Sequence, residues 1–338
     1  MLARPSGGKS PLARPRLGFL GLGWIGLHRM QSILEEAAVE VIGMVEPSPD
    51  QAAQAALLAP DARRVGCLDE LLALELDGLV IATPSAMHAE QSVRALERGV
   101  AVFCQKPLGR DAPETREVVE AARKADRLIG VDLSYRFTQA MACIHDLTTS
   151  GELGQVFAID LQFHNAYGPD KPWFYDRGRS GGGCVIDLGV HLVDLALWLT
   201  GSPDPQVTSA DLFAKGARLR PDSGDVEDYA IATVEMGACT ARLACSWKLH
   251  AGQDAVIAIA VHGSAGGAEM HNVAGSFYDF TVERYRGSAR ETLVAPPDAW
   301  GGRAALDWAR RLARGEGFDP RSEELIRTAK VLDQIYAR

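Results

Sequence analysis

The chain has 338 residues, 47% apolar and 23% charged, a composition near the average of soluble globular proteins that excludes disordered and fibrous chains. At about 150 residues per domain the length predicts two domains, each able to bury its own core, and excludes a disulfide-stapled mini-protein. With 44 acidic against 35 basic side chains the formal charge is −9, which offers no basic footprint for nucleic acid.

Arg4, Lys9, Arg14 and Arg16 stand among Pro, Gly and Ser with no apolar run, so residues 1–15 read as a flexible arm without a signal peptide. From Arg16 to about Leu133 short β-type runs alternate with helical patterns, the signature of βαβ units around a parallel sheet. The predicted strands are Leu17–Leu20, Val39–Val45, Gly78–Thr83, Val100–Cys104 and Leu128–Leu133. Between them the spacing predicts helices over Ile25–Leu34, Asp50–Leu58, Ala86–Arg98 and Ala112–Ala125, the last capped by Asp111.

After Arg136 strands follow one another directly with period two. Phe157, Ile159, Leu161 and Phe163 share one face, with Asp160, Gln162 and His164 on the other. In Cys239–Leu249, Leu243, Cys245, Trp247 and Leu249 oppose Arg242, Ser246, Lys248 and His250. Such strands predict a mostly antiparallel sheet with helices on one side, closed by a helix over Ser322–Ala337. The division expected is therefore an α/β domain over 16–135 and an α+β domain over 136–338. No run of eighteen apolar residues lacks a charge, so no membrane-spanning helix is expected. The cysteines at 67, 104, 143, 184, 239 and 245 form no C-x-x-C pair and read as reduced thiols of a cytoplasmic protein.

The first predicted strand runs into Gly21-Leu22-Gly23-Trp24-Ile25-Gly26 and then a helix. In that context the first glycine allows the turn, the second lets backbone approach a pyrophosphate, and the third lets helix and strand pack closely. Glu46 lies twenty residues after Gly26 at the end of the second strand, where a carboxylate accepts from ribose hydroxyls. It would repel a 2′-phosphate, and Pro47 and Ser48 supply no cation, so NAD is expected over NADP. Glu46 beginning a solvated Glu-Pro-Ser-Pro turn is the competing reading.

Two further segments offer chemistry. Phe103-Cys104-Gln105-Lys106-Pro107 closes a parallel strand at its carboxyl end, where open α/β sheets bind ligands. A lysine there can steady a substrate oxygen or remain a solvated loop residue. In Gly181-Gly182-Gly183-Cys184-Val185-Ile186-Asp187-Leu188-Gly189-Val190-His191-Leu192-Val193-Asp194, read as a helix, Asp187, His191 and Asp194 share one stripe at i, i+4 and i+7. From spacing alone three readings stand: a core histidine with an acid partner, a pair of metal ligands, or a general base oriented by an acid.

These residues together resemble the Gfo/Idh/MocA oxidoreductases, the group of glucose-fructose oxidoreductase and inositol dehydrogenase. The resemblance runs from about residue 16 through the glycine loop, Thr83-Pro84-Ser85-Ala86-Met87-His88, Lys106-Pro107, Tyr135-Arg136 and the Asp187-x-Gly189-x-His191-x-x-Asp194 helix. It implies a Rossmann dinucleotide-binding domain, then a domain with a large open sheet, and a site in the cleft between them. It places Lys106 against nicotinamide and substrate, makes His191 the proton acceptor with Asp187 its partner, and calls for no metal.

Cofactor contacts are expected at Gly21, Gly23, Trp24, Ile25, Gly26, Glu46, Thr83, Pro84, His88, Gln105 and Lys106, and substrate contacts at Arg136, Trp173, Tyr175, Asp187 and His191. The competing reading of Trp173 is an anchor of its loop to the core. The family's usual Glu-Lys-Pro reads Gln105-Lys106-Pro107 here, so Lys106 is expected to deprotonate more easily than in relatives with Glu.

The implied activity is NAD(P)-dependent oxidation of a secondary alcohol on a sugar, cyclic polyol or sugar-acid derivative. An NAD-dependent glycoside hydrolase and a non-catalytic ligand sensor are the alternatives on the same fold. The apolar stripe Leu243, Cys245 and Trp247 requires cover from a helix or a second subunit, and the family's habit points to a homodimer or homotetramer.

Overall fold

The computed structural model describes residues 14–337 apart from 203, 221 and 222; most of the expected amino-terminal arm lies outside the described residues. In chain order the elements are β1 (Arg16–Leu20), α1 (Trp24–Glu36), β2 (Glu40–Val45), α2 (Pro49–Leu58), β3 (Arg63–Arg64), α3 (Leu68–Leu72), β4 (Gly78–Ile81), α4 (His88–Glu97), β5 (Ala101–Cys104), α5 (Ala112–Ala125) and β6 (Ile129–Val131). Then follow α6 (Gln139–Thr149), β7 (Val156–Asn165), α7 (Arg177–Ser180), a π-helical turn over Val185–Gly189, α8 (Val190–Thr200), β8 (Gln206–Ala214) and β9 (Ala217–Arg218). The last are β10 (Tyr229–Met236), β11 (Cys239–Ser246), β12 (Ala255–Gly263), β13 (Gly267–Asn272), β14 (Phe280–Arg286), β15 (Ala289–Val294), α9 (Arg303–Ala313) and α10 (Glu323–Tyr336).

Two compact units result. One takes the chain up to Gly109 with Pro113–Asp132 and Gly302–Glu323; the other takes Arg110–Ala112, Leu133–Gly301 and the chain from Glu324. The single cut expected at 135/136 differs from this chiefly in Gly302–Glu323, which rejoins the first unit. An amphipathic helical pattern states that one face is buried without saying which sheet buries it.

In the first unit all six strands are parallel, in the order β3-β2-β1-β4-β5-β6. This is the doubly wound dinucleotide-binding order, in which strand order reverses between β1 and β4. β4 and β5 are buried at every residue, as parallel strands covered on both faces must be. α9 supplies part of that cover: Trp308 packs on Phe103 with ring centroids 5.8 Å apart, and Gly78 leaves its space, since a Cβ there would lie 2.7 Å from the indole.

In the second unit nine strands run β15-β14-β13-β12-β7-β11-β10-β8-β9, antiparallel except for the β7–β11 pair. The alternation places Ile159, Leu161, Phe163, Leu243, Cys245 and Trp247 in the core, as expected. Phe157 departs from it and is 53% exposed, because burial along β7 begins only at Ile159. His164 also departs: expected on the wetter face, it is buried, its Nδ1 2.8 Å from the Ser246 hydroxyl and its ring stacked on Tyr229.

The chain's own helix covers the apolar stripe. Cys184 Sγ lies 3.9 Å from Cys245 Sγ, and Gly189 faces the same thiol. The stretch Arg177–Thr200 is long and apolar enough by length and composition to cross a membrane, but it contains Asp187 and Asp194 and is buried inside the unit as a core helix is.

Candidate functional site

The three loop glycines have different physical duties. Gly21 holds φ at +85°, and a Cβ there would lie 2.6 Å from the Ala82 carbonyl oxygen, so turn and close approach both demand glycine. Gly23, the N-cap of α1, has open space where its Cβ would be, the cradle a pyrophosphate needs at a helix amino terminus. Gly26 packs so tightly beneath the Gly21 carbonyl that any side chain would collide. The residues present fit a dinucleotide.

Glu46 is half-buried, and its carboxylate accepts from the Leu22 amide at 2.6 Å and the Ser48 amide at 2.8 Å. It therefore ties the glycine loop to the end of β2 and retains acceptor capacity for ribose hydroxyls. Ser48 also caps α2, so the Glu-Pro-Ser-Pro turn is formed while the Glu46 carboxylate accepts the Leu22 amide. Trp24 is 68% exposed on the first turn of α1, and Ile25 beside it is half-buried.

At the carboxyl ends of β4 and β5 two side chains lock the Lys106 loop. The ring nitrogens of His88, which is 1% exposed, lie 2.7 Å from the Pro107 carbonyl and 2.7 Å from the Thr83 carbonyl. Burial lowers its pKa, the two carbonyls pull the other way, and a neutral ring can donate to only one of them at a time. Thr83 in turn donates its hydroxyl to Gln91 at 2.6 Å, and Pro84 leads into the helical turn Ser85–Met87 ahead of α4.

The second lock is Gln105, buried, whose amide donates to Asp132 Oδ2 at 2.5 Å. The same oxygen accepts from Arg29 Nε at 2.6 Å, a buried ion pair. Gln105 thus acts on a carboxylate partner of its own, Asp132, which no sequence signal identified. Lys106 is half-buried between these two anchors, and its bond to Pro107 is cis.

In the second unit Asp187 lies in the π-helical turn and His191 in the first turn of α8. A π turn inside a helical run is a frequent mark of a functional site. His191 is 7% exposed and boxed by rings: Tyr135 meets it edge-on at 5.0 Å, and Phe163 lies at 6.4 Å. Tyr135 itself packs on Trp300 and Phe280; burial pushes its phenol up, and Tyr278 and Asp187 add to the shift.

Asp187 accepts the indole N–H of Trp247 at 3.0 Å. The Trp247 ring is met edge-on by Phe174 at 6.3 Å and Tyr175 at 5.5 Å. Tyr175 donates to the Pro169 carbonyl and carries the Lys248 ammonium 4.9 Å from its ring, while Trp173 stacks on Phe174 at 3.9 Å. An aromatic wall therefore connects the expected substrate loop to Asp187. Sequence reading counted Trp247 only as apolar; the signal available was that a buried indole N–H requires an acceptor.

Asp194 and Arg136 form a separate structure. The guanidinium holds Asp194 in a fork, with bonds of 2.7 and 2.6 Å, reaches Glu324 at 3.2 Å, and lies over Trp198. Burial raises the Asp194 carboxyl pKa and Arg136 opposes that shift. Arg136, expected at the substrate, is thus bound within its own unit as the partner of a buried carboxylate.

Comparison with known proteins agrees with both units. Residues 16–133 match the family model described as an oxidoreductase family with an NAD-binding Rossmann fold, and residues 141–269 match the GFO/IDH/MocA C-terminal domain. A putative UDP-kanosamine synthase oxidoreductase subunit of Amycolatopsis mediterranei is 31% identical over 75% of this chain and 74% of its own. An inositol 2-dehydrogenase of Leifsonia xyli is 31% identical over 85% of this chain and 88% of its own. In fold, the chain superposes with a TM-score of 0.82 on a 3-ketoreductase from Actinomadura kijaniata solved with NADP and TDP-benzene, at 22% identity, covering 96% and 97% of the two chains. With both halves matched in order and the glycine cradle built as a dinucleotide requires, the chain belongs to the GFO/IDH/MocA family of oxidoreductases.

Proposed function

We propose that the protein oxidises a secondary alcohol of a sugar, cyclic polyol or sugar-acid derivative. The observation that carries this reading is Asp187, held by Trp247 on an aromatic wall, in the same helical run as the ring-enclosed His191. Aromatic faces beside hydrogen-bonding groups suit a carbohydrate ring. His191 takes the hydroxyl proton, Asp187 stabilises the imidazolium that forms, and Lys106 donates a hydrogen bond to the developing alkoxide. A dinucleotide held through its pyrophosphate by the Gly21–Gly26 loop would supply the hydride acceptor. Glu46 supports NAD, although the complex of the Actinomadura neighbour contains NADP and that of another neighbour of the same fold contains NAD.

The test is a screen of aldoses, inositols and sugar acids with NAD and with NADP, following reduced-nicotinamide absorbance. His191→Ala and Lys106→Ala should each lose about 10²–10⁴-fold in turnover while still binding cofactor. Near-normal turnover in either variant overturns its role. Cleavage of a glycoside without net NADH favours the hydrolase instead.

The six free cysteines support a reducing, cytoplasmic setting. The exposed Phe157 and Ile231 on the second sheet support a homodimer or homotetramer, which light scattering on the purified chain decides.

A further inference from the structure

The glycines at 181–183 and the buried carboxylate of Glu227 have no part in the chemistry above. We infer that Glu227 and Tyr336 are positioning residues that fix the amino end of the segment presenting Asp187 and His191. The inference rests on the proposal that this pair moves the substrate proton.

Glu227 is 1% exposed, and one oxygen, Oε1, collects three donors: the Gly183 amide at 2.9 Å, the Val185 amide at 2.9 Å and the Tyr336 hydroxyl at 2.7 Å. Its main chain joins in, since the Cys184 amide donates to the Glu227 carbonyl at 3.0 Å. Three consecutive amides, at 183, 184 and 185, are thus fixed to one residue. The next turn starts on them, because the Asp187 amide donates to the Gly183 carbonyl at 3.1 Å.

The glycines are what let the parts approach. A Cβ on Gly183 would fall inside the Glu227 carbonyl oxygen, and one on Gly182 inside the Tyr336 hydroxyl. Gly181 closes α7 with φ +90°. Tyr336 comes from α10, and its ring lies under the Arg177 guanidinium at 5.5 Å, so the end of the chain also steadies the loop that carries Tyr175. A carboxylate buried at a helix amino terminus is well placed to hold those amides, and displacements of about 1 Å in such a shell cost up to about 10²-fold in rate.

The experiment compares the full-length wild type with Glu227→Ala, Glu227→Gln and Tyr336→Phe. Hydrogen exchange is read at residues 183–191 by mass spectrometry, and cofactor affinity by NADH fluorescence. Glu227→Ala should speed exchange across 183–191 by about ten-fold or more, with other segments and NADH affinity within about two-fold of wild type. Glu227→Gln, which keeps an acceptor oxygen, should restore most of the protection. Tyr336→Phe should give an intermediate effect in the same segment, and it decides the matter if the alanine variant does not fold.

In the turnover assay with the substrate found by the screen, kcat should fall about ten-fold or more in Glu227→Ala with the KM for NAD unchanged, and recover in Glu227→Gln. Exchange at 183–191 like wild type in both Glu227→Ala and Tyr336→Phe overturns the inference. So does loosening spread evenly over the chain, or a wild-type kcat on a loosened segment. Failure of the proposed function shows differently, as a wild type that oxidises no sugar or polyol, and local loosening at 183–191 then still upholds the holding role itself.

Discussion

The indole N–H of Trp247 donates to the Asp187 carboxylate across 3.0 Å, and its ring carries the edge contacts of Phe174 and Tyr175. A single β11-end residue therefore both orients the acid and supports the aromatic wall. Trp247→Phe removes the donor while keeping an aromatic ring. Turnover should fall about ten-fold, a loss of about 1.4 kcal/mol in transition-state stabilisation, with little change in NADH affinity. Steady-state kinetics beside an NADH titration checks both.

Gly21 and Gly23 should separate folding from binding. Gly21→Ala forces a side chain onto φ +85° and against Ala82, so its melting temperature should drop by several degrees, equivalent to about 1–3 kcal/mol. Gly23→Ala meets nothing within 4 Å in the protein, so its melting temperature should stay close to that of wild type. Its NADH affinity should fall by about ten-fold or more, because the methyl enters the pyrophosphate's place. Calorimetry with and without NADH distinguishes the two.

Glu46→Ala removes the carboxylate that joins Leu22 and Ser48. NAD affinity should fall by about ten-fold, at about 1.4 kcal/mol per tenfold, and NADP affinity should fall less or rise. Paired fluorescence titrations with NADH and NADPH read the ratio, and an unchanged ratio removes Glu46 from cofactor selection.

Gln105→Glu sets a second carboxylate against Asp132, whose charge Arg29 already balances. The variant should be less stable by about 1–3 kcal/mol at neutral pH, and less so in acid, where one of the pair takes a proton. Asp132→Asn in the same chain should recover part of the loss. If Lys106 is also affected through charge, the pH profile of turnover shifts; an unmoved profile confines Gln105 to holding its loop.

Asp319 gives the acid limb of stability. Burial raises its carboxyl, but bonds from Arg321 and Arg311 outweigh that and bring it down to about 2 from 3.8. Because the folded pKa is the lower one, the stabilisation is present above about pH 4 and lost as pH falls towards 2. Allowing for partial exposure, Asp319→Asn should cost about 1–2 kcal/mol at pH 7, with the difference from wild type vanishing near pH 2. Urea titrations across that range measure it.

Much of the first unit is legible because each signal there is local. A strand, three spaced glycines and an acid twenty residues on are properties of neighbours in sequence, and they predict β1, α1, β2 and the cradle closely. β3 and α3 escape notice because a strand of Arg63–Arg64 and a five-residue helix are too short to show a period.

The candidate site in the second unit is legible only in part. The spacing identifies Asp187, His191 and Asp194, but hydrogen bonds from residues about sixty positions away give them different duties, Trp247 serving Asp187 and Arg136 serving Asp194. Glu227 is illegible for the same reason: an acid just before an alternating strand carries no local sign of the three donors that its fold brings to it.

The return of Gly302–Glu323 to the first unit bears on how the protein is made. Synthesis runs from the amino terminus, and domains ordinarily fold in the order in which they emerge. Here the first unit's sheet waits for Trp308, which follows every strand of the second sheet in the chain. Until then Phe103 and Gly78 lack the indole that covers them. A nascent chain stalled before residue 302 therefore exposes apolar surface that the folded first unit conceals, so the dinucleotide unit, translated ahead of the second sheet, is completed after it.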